Sequence, residues 1–233
     1  NLAHNENEVT RLSNDVFTMD KILLGDVFIR GGSSSGTHVL EEGRPIGQFY
    51  GLVCNGIDEN GRYIMVDKDG DGEISDPADY DYIGSAQPKL TYGITNTFRY
   101  KNFDLSFFLR GTIGNDILNA TRMAYAQSGF LPGTNALDDP LTYTLSETPR
   151  FSNYYLEKGS FMRLDNLTLG YKIKALNGIR VYFTAQNLFV ITKYKGLDPE
   201  VPMDSGDGLT PGVEPREFYP KARTFSVGLN LNF

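Results

Sequence analysis

Apolar and polar residues alternate one for one at the end of this chain. Between residues 223 and 233 the apolar positions are Phe225, Val227, Leu229, Leu231 and Phe233, separated by Thr224, Ser226, Gly228, Asn230 and Asn232. Successive side chains of a strand point to opposite sides, so a period of two gives one greasy face and one wet face. The pattern recurs upstream. Over 90–101 the apolar face is Leu90, Tyr92, Ile94, Phe98 and Tyr100, broken by Asn96. Over 103–113 it is Phe103, Leu105, Phe107, Leu109 and Ile113, opposed by Asp104, Ser106, Arg110 and Thr112, with Phe108 as the exception. Residues 166–173 set Leu167, Leu169, Tyr171 and Ile173 against Asn166, Thr168, Gly170 and Lys172. Residues 179–191 put Ile179, Val181, Phe183, Ala185, Phe189 and Ile191 on one side, while the other begins polar and ends with Leu188 and Val190. Two weaker strands are predicted at 22–30 and 46–54.

Length and connection separate two ways of using such strands. The strong ones run for about 8–13 residues. A tilted strand needs roughly 9–11 to cross a bilayer, whereas strands of soluble proteins are nearer ~5–6. Short turns at Lys101-Asn102 and 175–178 alternate with long loops at about 55–89, 114–160 and 192–222. Transmembrane barrels show that rhythm, with short periplasmic turns and long outer loops. On that reading strands 90, 166 and 223 run inward, and strands 103 and 179 run outward. The expected fold is all-β: an antiparallel transmembrane β-barrel segment of about seven strands with long extracellular loops. Seven cannot close, because bacterial single-chain barrels have an even number, at least about eight. The remaining strands are expected upstream of Asn1 or in another chain. A short helix capped by Asn115 is predicted over 115–127.

Composition narrows the function. The formal charge is −7 and no run of Lys or Arg exceeds two residues, which disfavours a nucleic-acid partner. The single cysteine, Cys54, excludes an intrachain disulfide and reads as a small apolar residue. His4 and His38 have no metal-spaced company and are expected at the surface. No signal-peptide pattern opens the chain and no run of 18 apolar residues occurs. A membrane role therefore rests on strands. No catalytic constellation is visible, so no enzyme is expected. Tyr80, Tyr82, Tyr154 and Tyr155 are weak candidates for stacking on sugars.

One loop carries metal-binding chemistry. In DKDGDGEISDPAD, residues 67–79, Asp67, Asp69 and Asp71 stand at alternate positions and Gly72 at the sixth. That is the first half of a calcium loop. A hard cation takes about 6–8 oxygens, and alternate carboxylates in a tight turn converge on one point. Glu73 would add its backbone carbonyl and Ser75 a hydroxyl or a water. The twelfth position, where a Glu closes such sites, is Ala78, and Asp79 or Asp76 is the substitute. The shorter DSGDG at 204–208 reads as a turn.

Several stretches in order, taken together, resemble the SusC/RagA family of TonB-dependent outer-membrane transporters. They are EGRPIGQFYG at 42–51, the DxDGDG loop followed by Ile83-Gly84 and Pro88, Tyr92-Gly93, YKNFDL at 100–105, FMRLDNLTLGY at 161–171, AQNL at 185–188, Tyr219-Pro220 and the terminal RTFSVGLNLNF. The resemblance implies a barrel of about 22 strands around an N-terminal plug, with plug and TonB box absent from this chain. It further implies import of a bulky nutrient, a glycan oligomer or a peptide, powered through the TonB complex. A SusD-like surface lipoprotein is the implied partner, outer-membrane lipid the implied surroundings, and Phe233 resembles an assembly signal. The wet face, including Arg99 and Arg110, would line the lumen. Two alternatives compete with this reading: a soluble calcium-dependent β-sandwich adhesin or glycan-binding module, and a passive porin-like barrel.

Overall fold

The computed structural model describes residues 1–29, 36–174, 179–200, 208–215 and 219–231. In chain order the strands are β1 (Leu2–Ala3), β2 (Lys21–Leu24), β3 (His38–Glu41), β4 (Gln48–Leu52), β5 (Cys54–Ile57), β6 (Tyr63–Met65), β7 (Tyr80–Ser85), β8 (Leu90–Tyr100), β9 (Phe103–Ile113), β10 (Asp116–Leu118), β11 (Leu156–Lys158), β12 (Phe161–Ile173), β13 (Ile179–Thr192) and β14 (Thr224–Asn230). Two short helices, α1 (Ala120–Tyr125) and α2 (Pro140–Thr144), lie between β10 and β11.

The five strongly alternating stretches form one antiparallel wall, in the order β8-β9-β12-β13-β14, with β1 beside β8. β8 and β9 pair from Leu90↔Ile113 to Tyr100↔Phe103, which leaves Lys101 and Asn102 as the predicted tight turn. Lys101 takes a positive φ of 54° there. Because the pairing is in register, the alternation adds up across strands. Ile94, Phe98, Phe103, Leu169, Tyr171, Phe183, Phe225, Val227 and Leu229 share one face, and all are exposed. Their rings meet across strands, Phe98 on Phe107 at 6.2 Å, Phe103 on Tyr171 at 4.6 Å and Phe183 on Phe225 at 6.1 Å. The opposite face carries Thr97, Ser106, Thr168, Thr184 and Ser226, in one row across the wall.

β12 starts earlier than the alternation suggests. A β-bulge between Leu164 and Asn166 inserts Asp165 and reverses the phase. Below it the even-numbered residues point to the wet face, and above it Phe161 and Arg163 do. A bulge re-aims side chains in this way at the cost of one unpaired residue.

The weaker predicted strands belong elsewhere. The stretch at 22–30 shrinks to β2 and that at 46–54 to β4. Both lie in a separate four-stranded sheet, β2-β3-β4-β7. Among the described residues the wall therefore has five long strands, not seven. The expected long loops are not open loops either. Together with β2–β4 they build a second body with a buried core of Val27, Ile29, Phe49, Leu118, Met123, Leu141, Phe151 and Tyr155. None of these residues lies on the five long strands. Residues 116–118 form β10, and the helix begins after Asn119, whose side chain accepts from the Arg122 N–H. Asn119, rather than Asn115, is the cap. The turn at 175–178, residues 204–207 of the DSGDG stretch, Asn232 and Phe233 lie outside the described residues. No described helix is long and apolar enough to cross a membrane, which says nothing of a β-barrel.

Candidate functional site

The wet face of the wall meets the second body through a buried ionic seam. The bulge at Asp165 turns Arg163 inward, where it is 1% exposed. Its guanidinium donates to Asp198 Oδ1 at 2.5 Å and to Asn187 Oδ1. Arg110, its cross-strand neighbour, donates a fork to Glu200 at 2.5 and 3.0 Å and a third bond to Asp165 at 3.1 Å. Lys221 also donates to Glu200. Asn187, at a positive φ of 51°, donates to the Lys221 carbonyl at 2.7 Å. Two ends of the 192–222 connection are thus clamped to the wall. Forked, charge-assisted bonds offset the cost of removing these ions from water. A cavity of 530 Å³ lies beside the seam, bounded by Thr91, Arg110, Thr112, Phe161, Gln87 and Glu200. Arg110 and Glu200 neutralise each other, so its available groups are hydroxyls and amides.

The acidic loop sits between β6 and β7, with strands rather than helices on its flanks. Asp67, Asp69 and Asp71 each offer a carboxylate oxygen within 4.8 Å of the others, at the surface. The loop is bent by Gly70 and Gly72, at φ of 79° and 89°, a region that glycine enters without strain. Asp67 accepts from the N–H groups of Gly70 at 2.6 Å and Gly72 at 2.9 Å. Glu73 lies outside the carboxylate cluster, and its N–H donates to Asp71 at 2.8 Å. Asp79 is buried and accepts from the N–H groups of Lys68 at 2.6 Å, Ser75 at 2.7 Å and Asp69 at 3.4 Å. Those bonds, Ser75 first and Lys68 next, hold its carboxyl below the ordinary value. Of the five acidic candidates, three come together and Asp79 organises the turn behind them. Arg150 fastens the loop to the second body through Asp76 at 2.7 Å.

Several residues are placed differently from expectation. His38 is fully buried, not at the surface. Its Nε2 faces the Pro211 carbonyl at 2.8 Å and its Nδ1 the Thr37 hydroxyl at 2.8 Å. A carbonyl only accepts, so Nε2 carries a proton. His4 is exposed and Cys54 buried, as expected. Tyr80 and Tyr155 are core residues at 2% and 0% exposure, unavailable to a sugar. The Tyr155 hydroxyl bonds that of Tyr63 at 2.5 Å, and burial pushes both phenols up, Tyr63 to about 12. The seam residues Arg163, Asp198 and Glu200 were not singled out in the sequence. Their one signal is the phase break at Asp165.

No family model matches the chain. It is 35% identical over its whole length to the TonB-dependent receptor SusC of Bacteroides thetaiotaomicron, of which it covers 24%. It is 34% identical to TonB-dependent receptor P3 of Formosa agariphila, over 84% of this chain and 23% of that protein. Its fold matches a solved structure of the RagAB peptide transporter with a TM-score of 0.73 and 25% identity, over 98% of this chain and 26% of that one.

The chain belongs to the SusC/RagA family of TonB-dependent receptors. Proteins of this family are transporters rather than enzymes, and they sit in the bacterial outer membrane. The chain spans about a quarter of the length of the relatives it matches. The antiparallel wall, with its apolar and wet faces, matches part of the RagAB fold, and the folded connections lie at one end of it.

Proposed function

We propose that this segment forms part of the barrel wall of an outer-membrane importer for a bulky nutrient, a glycan oligomer or a peptide, driven through TonB. The observation that carries the proposal is the exposed apolar face of the wall, backed by a polar one. A strand of 11 residues rises about 36 Å at ~3.3 Å per residue. Tilted by ~45°, it spans about 26 Å, the height of the ~25 Å apolar band of such barrels. A soluble sandwich would cover this face with a second sheet, and among the described residues none does so. β8 is paired with β1 only through Tyr92 and Thr91. Its edge from residue 94 to 100 is where further strands of a barrel would add, with a plug on the wet side. The folded connections are the surface on which a SusD-like lipoprotein would seat.

In this reading Asp67, Asp69 and Asp71 bind calcium, with the Glu73 carbonyl completing the shell and Asp79 holding the turn in shape. Calcium should raise the thermal midpoint of the full transporter, and Asp69→Asn should abolish the rise. An unchanged midpoint in the parent protein removes calcium from the proposal. Function is tested by deleting the full gene and growing the strain on single glycans or on peptide mixtures, with and without TonB. Growth lost on one nutrient class, and equally lost without TonB, is expected. A full-length protein that is soluble without detergent would sink the barrel reading, and uptake independent of TonB would favour a passive porin.

A further inference from the structure

The 530 Å³ cavity beside the seam is bordered by a polar group that the fold leaves unmet. Asn115 stands between β9 and β10, is 7% exposed and lines that cavity. It is free of capping duty, since α1 begins after Asn119. Its Oδ1 accepts from the Thr112 hydroxyl at 3.2 Å, and its backbone carbonyl accepts from the Gly159 N–H at 2.9 Å. Its amide nitrogen has no partner among the described residues. Gly159 makes room for that nitrogen, because a Cβ there would stand 2.4 Å from it. Buried amides are almost always hydrogen-bonded, and an unmet donor carries its full desolvation cost. A ligand in the cavity would supply the acceptor.

The rest of the lining sets the chemistry of that ligand. Strand register brings Thr91, Thr112 and Phe161 into one row. Phe161 stands on this face because the bulge at Asp165 reverses the phase of β12. With Ile117, Pro88 and Pro199 it gives the cavity apolar sides. The Thr91 hydroxyl and the Gln87 carboxamide also line it, and neither has a hydrogen-bond partner among the described residues. The two charged groups of the lining are bound to each other. Arg110 donates to Glu200 and to Asp165, and Lys221 donates to Glu200 as well.

We infer that this cavity is a specificity site for an uncharged glycan, holding about two or three sugar units of the imported nutrient, and that Asn115 and Gln87 select it. A sugar hydroxyl both donates and accepts, as do the carboxamides and hydroxyls that line the cavity. The C–H faces of a sugar ring match its apolar sides. Its volume lies within the range of about 300–1,000 Å³ found for pockets that hold ligands of this size. An acidic glycan would bring carboxylates or sulfates to a place where the one guanidinium is already paired and Glu200 repels. A peptide would bring charged ends and side chains that meet the same shortage of partners. Burying an unpaired charge costs far more than burying a hydroxyl that finds its bond. The site therefore discriminates largely by rejection.

The inference deepens the importer reading and rests on it. The test uses the full transporter in detergent and titrations followed by saturation-transfer NMR. Maltotriose, mannotriose and xylotriose are the neutral probes, trigalacturonate the acidic one and trialanine the peptide. At least one neutral trisaccharide should bind, about tenfold or more tighter than trigalacturonate and trialanine. Asn115→Asp keeps the shape but turns the donor into a charged acceptor, and should weaken that binding about tenfold. Thr91→Val, at an exposed position, should weaken it severalfold. Should Asn115→Asp fail to fold, Thr91→Val and Gln87→Leu decide alone. No neutral probe bound, tightest binding by trigalacturonate or trialanine, or neutral binding unchanged in the variants overturns the inference. Heat-modifiable migration reports the barrel separately. Its loss in the parent protein defeats the importer reading, whereas its retention without neutral-sugar binding defeats this inference alone.

Discussion

The wall and the body beside it solve opposite problems with the same chain. In the wall, Val227 is 77% exposed and Leu229 62%, although both are apolar residues in the middle of a strand. In the body, Phe49, Leu52, Leu118 and Met123 are fully buried, and a buried carboxylate such as Asp79 is met by backbone N–H groups. A soluble domain with the first pattern would aggregate through its exposed patch. A barrel in lipid requires it. Hydrophobicity thus has no fixed direction in this molecule: it points outward on the wall and inward in the body.

The seam where the two regions join gives the largest expected effect. Arg163→Met leaves Asp198, 4% exposed, without its counter-ion, and removal of one partner from a buried pair costs about 3–5 kcal/mol. Protease cleavage within 193–222 of the full transporter should rise, and pairing Arg163→Met with Asp198→Leu should restore much of the protection. If Arg163→Met leaves cleavage unchanged, the connection is not clamped to the wall. Next comes the core of the body. Met123→Ala should loosen it by about 2–5 kcal/mol, read as faster hydrogen exchange in α1 and β11 with the wall unaffected. A third change sets the two faces against each other. Val227→Arg on the apolar face should cost about 2–4 kcal/mol near the bilayer midplane, while Ser226→Arg next to it should cost little. Equal effects in a reversible unfolding assay would erase the distinction between the faces.

The smallest effect is a pH dependence. Asp79 in the fold ionises below the ordinary carboxylate value because it accepts from the Ser75 and Lys68 N–H groups. Its contribution is therefore fully present above the unfolded value of about 3.9 and is lost as pH falls through the lower folded value. Hydrogen exchange at Lys68 and Ser75 should quicken in that acid window. In Asp79→Asn it should already be quick at neutral pH and no longer change on acidification.

The two regions were also unequally legible in the sequence. Strand β9 follows the alternation from Phe103 to Ile113, and β13 extends it by one residue to Thr192, because a period of two over eleven residues or more leaves little room for another reading. The body left no such trace. Its strands run three to six residues and α1 only six, too short for periodicity, and its core joins Phe49, Met123 and Phe151 from distant stretches. Burial of His38 depends on Pro211, 173 residues away, and no local pattern announces it. The spacing of Asp67, Asp69 and Asp71 was readable because one turn brings them together. Asp79 reads in the sequence as a substitute for the residue that closes such a loop, and its carboxylate accepts from backbone N–H groups that a sequence does not display.

Around the bulge at Asp165, β12 is sensitive to reading length in a way that residue identity does not capture. Replacing Asp165 removes one bond to Arg110 and keeps the phase. Deleting it removes the extra residue and keeps Arg163 and Leu164 opposite Arg110 and Leu109, whereas deleting a paired residue such as Thr168 would shift everything above it by one step and turn Arg163 to the apolar face and Leu164 to the wet one. Within the paired part of this strand, an insertion or deletion is the harsher mutation, because the count of residues, more than their kind, tells each side chain which solvent it will meet.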